Sequence, residues 1–120
     1  MREKLHAAHP NKSGLFDLKH DRGGMIDIEF TVQFLVLSHS HRHAELTRNL
    51  GNIALLGIAA SLGLIQADLA EACQNAYRKF RRLQHALRLN GAKYARVPLE
   101  QVALKSAAVR DLWKAVFSAY

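Results

Sequence analysis

The 120-residue sequence holds a single cysteine, Cys73, so no disulfide can form within the chain. It has only two prolines, and no apolar run reaches the ~18 residues that a membrane-crossing helix requires. The nearest run, Ile53 to Ile65, is shorter and is interrupted by Gly57, Ser61 and Gly63. Met1 to Pro10 is charged and lacks the apolar stretch of an export signal. A free thiol without an export signal leads to the expectation of a cytoplasmic protein. Acidic residues are scarce as well: Lys plus Arg number 17 against 10 Asp plus Glu, a net charge of +7. Such a balance raises nucleic acid, an acidic membrane surface or an acidic protein as partners, without choosing among them. With 49% hydrophobic residues the chain has the means to bury a core as one domain.

Glycine and proline punctuate the sequence. Arg2 to Ala8 reads as a helix end, stopped before Pro10, and Asn11 to Gly14 as a turn. Leu15 to Lys19 alternates apolar and polar residues and predicts a short strand, followed by a loop ending in Gly23-Gly24. A lone strand cannot satisfy its own backbone, so its partners are expected outside this chain. Met25 to Leu37 fits two periodicities. Ile26, Ile28, Phe30, Val32 and Phe34 alternate as in a strand, while Ile26, Phe30, Phe34 and Leu37 share one helical face.

Beyond it the reading is helical. Asn49 to Leu62 forms a helix with Gly63 at a left-handed C-terminal cap. Leu69, Cys73, Ala76, Phe80, Leu83 and Leu87 mark an amphipathic helix over about Ala67–Leu89, ended by Asn90-Gly91. Pro98 suits the first turn of a short helix. Ser106 is placed to cap a last helix whose apolar side is Val109, Leu112, Trp113, Val116 and Phe117. The expected fold is mainly α, a helical bundle with one short N-terminal strand.

The most unusual stretch is Phe16-Asp17-Leu18-Lys19-His20-Asp21-Arg22-Gly23-Gly24-Met25-Ile26-Asp27-Ile28-Glu29-Phe30. A strand, a glycine loop and a helix start can offer backbone N–H groups to a phosphate, with Lys19 adding charge and Asp27 able to meet Mg²⁺ or a sugar hydroxyl. The competing reading is a loop whose acid caps the helix. Asp27 and Glu29 stand about 200° apart around a helix and cannot face one site.

These residues resemble the motif that joins the nucleotidyltransferase core to the helical domain in the bifunctional glutamine synthetase adenylyltransferase/adenylyl-removing family. The related uridylyltransferases of the PII signalling protein carry a similar motif. Lys19, Asp21, Gly23, Gly24, Asp27 and Ile28 carry the likeness, extended by Glu29 and Phe30. Asp21, where other members have glycine, and Phe16-Asp17 resemble the C-terminal, adenylylating half. Gln33 to Leu37, Asn49 to Leu64 and Ala76 to His85 are similar to the family's helical domain.

The resemblance implies a bundle of the nucleotidyltransferase substrate-binding type from residue 25 to 120. Residues 1–24 would be the end of the catalytic core and a glycine linker, with the short strand belonging to that core. It implies an enzyme that moves AMP from ATP to a tyrosine of glutamine synthetase, with Mg²⁺, the other half removing it, under control by PII protein and glutamine. The family's paired Asp-x-Asp is absent from this sequence, so catalytic residues are expected upstream, and the chain alone is expected to be inactive, with no Mg²⁺ or ATP bound. Lys19, Gly23, Gly24 and Asp27 become candidates near the nucleotide or Mg²⁺, with Asp17, Glu29, Arg81 and His85 secondary.

Two alternatives stand beside this: the equivalent domain of a PII uridylyltransferase, and a basic helical module binding nucleic acid or an acidic protein. Arg78, Lys79, Arg81, Arg82, His85 and Arg88 make one helix face basic, but Tyr77 is the only aromatic there, so nucleic acid is the weakest reading and no membrane contact is expected. His39, His41 and His43 alternate, which converges on a metal only in a strand, and no metal site is expected. Cys73 lies on the apolar stripe, as a core residue and not a nucleophile.

Overall fold

The computed structural model describes residues 14–47 and 50–118, so the expected helix end at Arg2–Ala8 lies outside the described residues. In chain order come β1 (Phe16–Asp17), α1 (Met25–His39), a 3₁₀ turn at Ala44–Thr47, α2 (Asn52–Ser61) and α3 (Ala67–Leu89). Then follow β2 (Arg96–Val97), a 3₁₀ turn at Leu99–Gln101 and α4 (Ala103–Phe117). The long α3 is the central element, packed between α2 and α4, and α1 lies across α4 and α2. No helix among the described residues is long and apolar enough to cross a membrane.

The strand has its partner inside the chain. β1 pairs antiparallel with β2, Phe16 opposite Val97 and Asp17 opposite Arg96. The expectation of partners only outside the chain is therefore corrected. The segment before Pro98 carries no strand periodicity long enough to notice, because the ladder is two residues deep. Leu18 N–H extends the pairing to the Ala95 carbonyl at 2.8 Å.

Met25–His39 is a helix, as the resemblance implies, and the residues that alternate along it serve two faces. Met25, Ile28, Val32 and Leu35, spaced 3, 4, 3, turn into the core. Phe30, Phe34 and Leu37, the apolar face read from the sequence, are on the other side, and Leu37 is 72% exposed. With two apolar faces the helix mimics strand alternation.

The helix ends are built as expected. Gly63 has φ +77° and Gly91 φ +78°. At each, paired bonds close the helix: Leu64 N–H to Ala59 O and Gly63 N–H to Ala60 O, then Ala92 N–H to Leu87 O and Gly91 N–H to Arg88 O. On α3 the buried stripe is Ala70, Cys73, Ala76, Tyr77 and Phe80, and Phe80 lies against Phe16 with ring centroids 6.1 Å apart.

The last helix starts four residues earlier than expected. α4 begins at Ala103 behind Val102, so Ser106 is inside it and caps nothing. Its side chain is fully buried, and Oγ has no hydrogen-bond partner among the described residues. A buried hydroxyl without a partner costs free energy rather than supplying it. Ser106→Ala is therefore expected to leave stability unchanged or raise it by up to about 1 kcal/mol in urea unfolding, whereas a capping serine would lose about 1 kcal/mol.

Candidate functional site

Two aspartates shape the loop between β1 and α1. Asp17 Oδ1 accepts the N–H groups of Lys19 (3.0 Å) and His20 (2.9 Å), and its Oδ2 is 3.4 Å from Arg96 Nε. Asp21 Oδ2 accepts the Asp17 N–H at 2.9 Å. Asx-type bonds of this kind let a short polar side chain substitute for a backbone turn. The loop then enters α1 with its donors occupied. Gly24 N–H goes to Asp21 O, Met25 N–H to Leu18 O and Ile26 N–H to Lys19 O. Gly23 N–H goes to Asp27 Oδ2 at 2.7 Å. None of these four N–H groups is left to meet a phosphate.

The glycine pair has a packing reason. Gly23 has φ +86°, and a Cβ there would fall 2.3 Å from Ser106 Oγ and 2.8 Å from the Ser106 carbonyl on α4. At Gly24 a Cβ would lie 2.7 Å from Leu18 O and 2.9 Å from Asp21 O. Either side chain would have to displace backbone.

Asp27 is buried at 3% exposure and sits in the first turn of α1. While it holds Gly23, it also lines a groove of about 740 Å³ between α1 and α4. From α1 the groove takes Phe30, Phe34 and Leu37, and from α4 Trp113 and Phe117. Phe117 bridges the two helices, 4.8 Å from Phe34 and 4.2 Å from Trp113 between ring centroids. Arg22, Arg110 and Lys114 bring three positive charges to it. Sequence reasoning missed this site, although Arg110, Trp113, Lys114 and Phe117 follow one helical face at spacing 3, 1, 3.

Lys19 does not join Asp27. It is exposed and borders a smaller recess of about 220 Å³ together with Asp17, Gln84, Arg88, Lys93 and Tyr94. Glu29 points elsewhere again, as its 200° offset from Asp27 requires. The Tyr77 hydroxyl donates to Glu29 Oε2 at 2.9 Å and accepts from Asn52 Nδ2 at 3.2 Å, tying α1, α2 and α3 together. Burial, and then the Glu29 carboxylate, push the Tyr77 phenol above its ordinary pKa, with Asn52 and Arg81 opposing. Arg81 lies over the Tyr77 ring at 5.9 Å from the centroid. His85 is exposed on α3 and joins none of these groups. No cluster of three or more His, Cys, Asp or Glu forms among the described residues.

A family model described as GlnD PII-uridylyltransferase matches residues 1–112. The chain belongs to that family. It is also similar to curated proteins named bifunctional glutamine synthetase adenylyltransferase/adenylyl-removing enzyme. Against the one from Ralstonia nicotianae it is 60% identical over 98% of this chain and 12% of that protein. Against Bordetella bronchiseptica the identity is 57% over 97% of this chain and 12% of the relative, and against Nitrosomonas europaea 48% over 98% and 14%. The chain thus spans 12–14% of the length of these relatives.

Cys73 is in the core of this family domain and belongs to neither cavity. It is fully buried, and its Sγ–H points to the Ala108 carbonyl at 3.4 Å. Burial first, then the charge of Asp111, push the thiol up to about 12 from 9.0. The folded state therefore keeps its proton where the unfolded state has lost it. Stability is unaffected below about pH 9 and falls between about pH 9 and 12, by at most about 1.4 kcal/mol per pH unit. Urea midpoints at pH 8, 9 and 10 are expected to decline more steeply for the native chain than for Cys73→Ala.

Proposed function

We propose that this chain is the helical domain of a cytoplasmic enzyme that moves AMP from ATP to a tyrosine of glutamine synthetase, the adenylylating half of a bifunctional protein. The observation that carries the reading is the 48–60% identity to enzymes of that name along almost the whole chain. Residues 1–24 would lead out of the nucleotidyltransferase core, and residues 25–120 would make up the bundle. Mg²⁺ and ATP would be held mainly by the Asp-x-Asp core, which this sequence does not contain. Glutamine synthetase and PII protein are the proposed partners, with nucleic acid and membrane excluded from the reading. The family match keeps a second reading, the equivalent domain of a PII uridylyltransferase, in view.

In this enzyme the bundle supplies positioning. Nucleotidyl transfer depends on aligned groups and neutralised charge more than on covalent help, so a helical lobe contributes by fixing what surrounds the phosphates. Arg22, Arg110 and Lys114 around an aromatic floor suit a nucleotide or the docking of the core. Asp27 is the acid of that groove and is proposed to face the nucleotide or its Mg²⁺.

Asp27→Asn in the intact enzyme separates this role from loop fastening. The amide oxygen can still accept the Gly23 N–H, so folding is expected to survive. Adenylyl transfer at saturating Mg²⁺ and ATP is expected to fall about a hundredfold or more if the charge acts at the reacting phosphates. Near-normal turnover would restrict Asp27 to the loop. The chain by itself is expected to transfer no AMP to glutamine synthetase, and measurable transfer would overturn the assignment of chemistry to the core.

A further inference from the structure

The recess beside Lys19 is separate from the α1–α4 groove and shares no lining residue with it. Three segments meet there: the 17–20 turn and, far from it in sequence but close to each other, the last turns of α3 and the Lys93–Ala95 stretch that leads into β2. Each brings a cation, namely Lys19, Arg88 and Lys93. All three are exposed, and none is paired with a carboxylate among the described residues.

Among the described residues the only acid lining the recess is Asp17, and its oxygens are committed. Oδ1 takes the Lys19 and His20 N–H groups, and Oδ2 is matched by Arg96. Tyr94, 52% exposed, stands at the edge with the Arg96 guanidinium 4.0 Å from its ring centroid and the Lys93 ammonium at 5.4 Å. These cation–π contacts hold the ring and both cations in register. The α3 dipole alone would account for Arg88, in its last turn. It does not account for Lys19, which arrives from the opposite end of the chain. Nor does it account for Lys93, which lies beyond the turn where Gly91 and Ala92 N–H groups already close the helix carbonyls.

We propose that this recess is a binding site for a phosphoryl anion, gripped by Lys19, Arg88 and Lys93 with Tyr94 beside it. About 220 Å³ accommodates one phosphoryl group with its hydration, and the Gln84 amide is at hand as a further donor. Ammonium and guanidinium groups favour phosphoryl oxygens over chloride through charge-assisted hydrogen bonds. The inference stands on the recess alone and does not require the chain to serve an adenylyltransferase.

The test is an NMR titration of the chain with inorganic phosphate, pyrophosphate and ATP, each at constant ionic strength balanced with sodium chloride. Saturable shifts at Lys19, Arg88, Lys93 and Tyr94 are expected with phosphate and pyrophosphate. Lys19→Gln and Lys93→Gln are each expected to weaken binding at least fivefold without moving the thermal unfolding midpoint, since both residues are exposed. ATP binding at least tenfold tighter than pyrophosphate would assign the phosphoryl group to a nucleotide, and equal or weaker ATP binding would assign it to a free phosphoryl anion. Shifts that fail to saturate below about 10 mM, that follow ionic strength alone, or that persist unchanged in both variants would overturn the site.

Discussion

The approach of the Gly23 backbone to Ser106 on α4 is the constraint on which the rest of the domain depends. Only a residue without Cβ, at positive φ, fits there. Once Gly23 is in place its N–H meets the Asp27 carboxylate, and α1 starts where it does. The same contact sets α1 and α4 side by side with their N-termini together, because Phe34 further along α1 meets Phe117 further along α4. The groove between the two helices is thus a consequence of the glycine loop. The aromatic and cationic character of that groove comes from residues the core does not use.

The acids of the entry segment divide into separate tasks. Asp17 and Asp21 fold the turn, Asp27 fastens Gly23, and Glu29 reaches across to Tyr77 on α3. Negative charge is consumed locally, and the two cavities are each left with three cations, Arg22, Arg110 and Lys114 in one and Lys19, Arg88 and Lys93 in the other. The recess at Lys19 and the groove at Asp27 are therefore distinct electrostatic environments, although the sequence places the two residues only eight positions apart. A turn followed by a helix separates them in space.

Much of the fold was legible because α3 and the helix ends follow simple rules. The 4, 3, 4, 3 spacing marked α3, Gly63 took the left-handed cap expected of it, and Asn90-Gly91 ended α3 as expected. What was not legible has physical causes. β2 is two residues long, too short to show alternation. α1 is apolar on two sides, which blurred helix with strand. Ser106 has the chemistry of a cap but is buried by its contact with Gly23, a tertiary relation absent from local pattern. The family motif did point to the loop, Asp27 and Lys19. It did not reveal that the glycines serve packing, or that the two candidates face different cavities.

Unfolding of Gly23→Ala in urea, set beside Gly51→Ala, tests the central claim most directly. At Gly51 nothing stands within 4 Å of an added Cβ and φ is −72°, so that change is expected to stay within about 1 kcal/mol. At Gly23 the added methyl meets α4 and the left-handed backbone is disfavoured, so a loss of at least about 2 kcal/mol is expected, before any ligand is present. A Gly23→Ala protein as stable as the native chain would contradict the account and return the glycine pair to a role in binding.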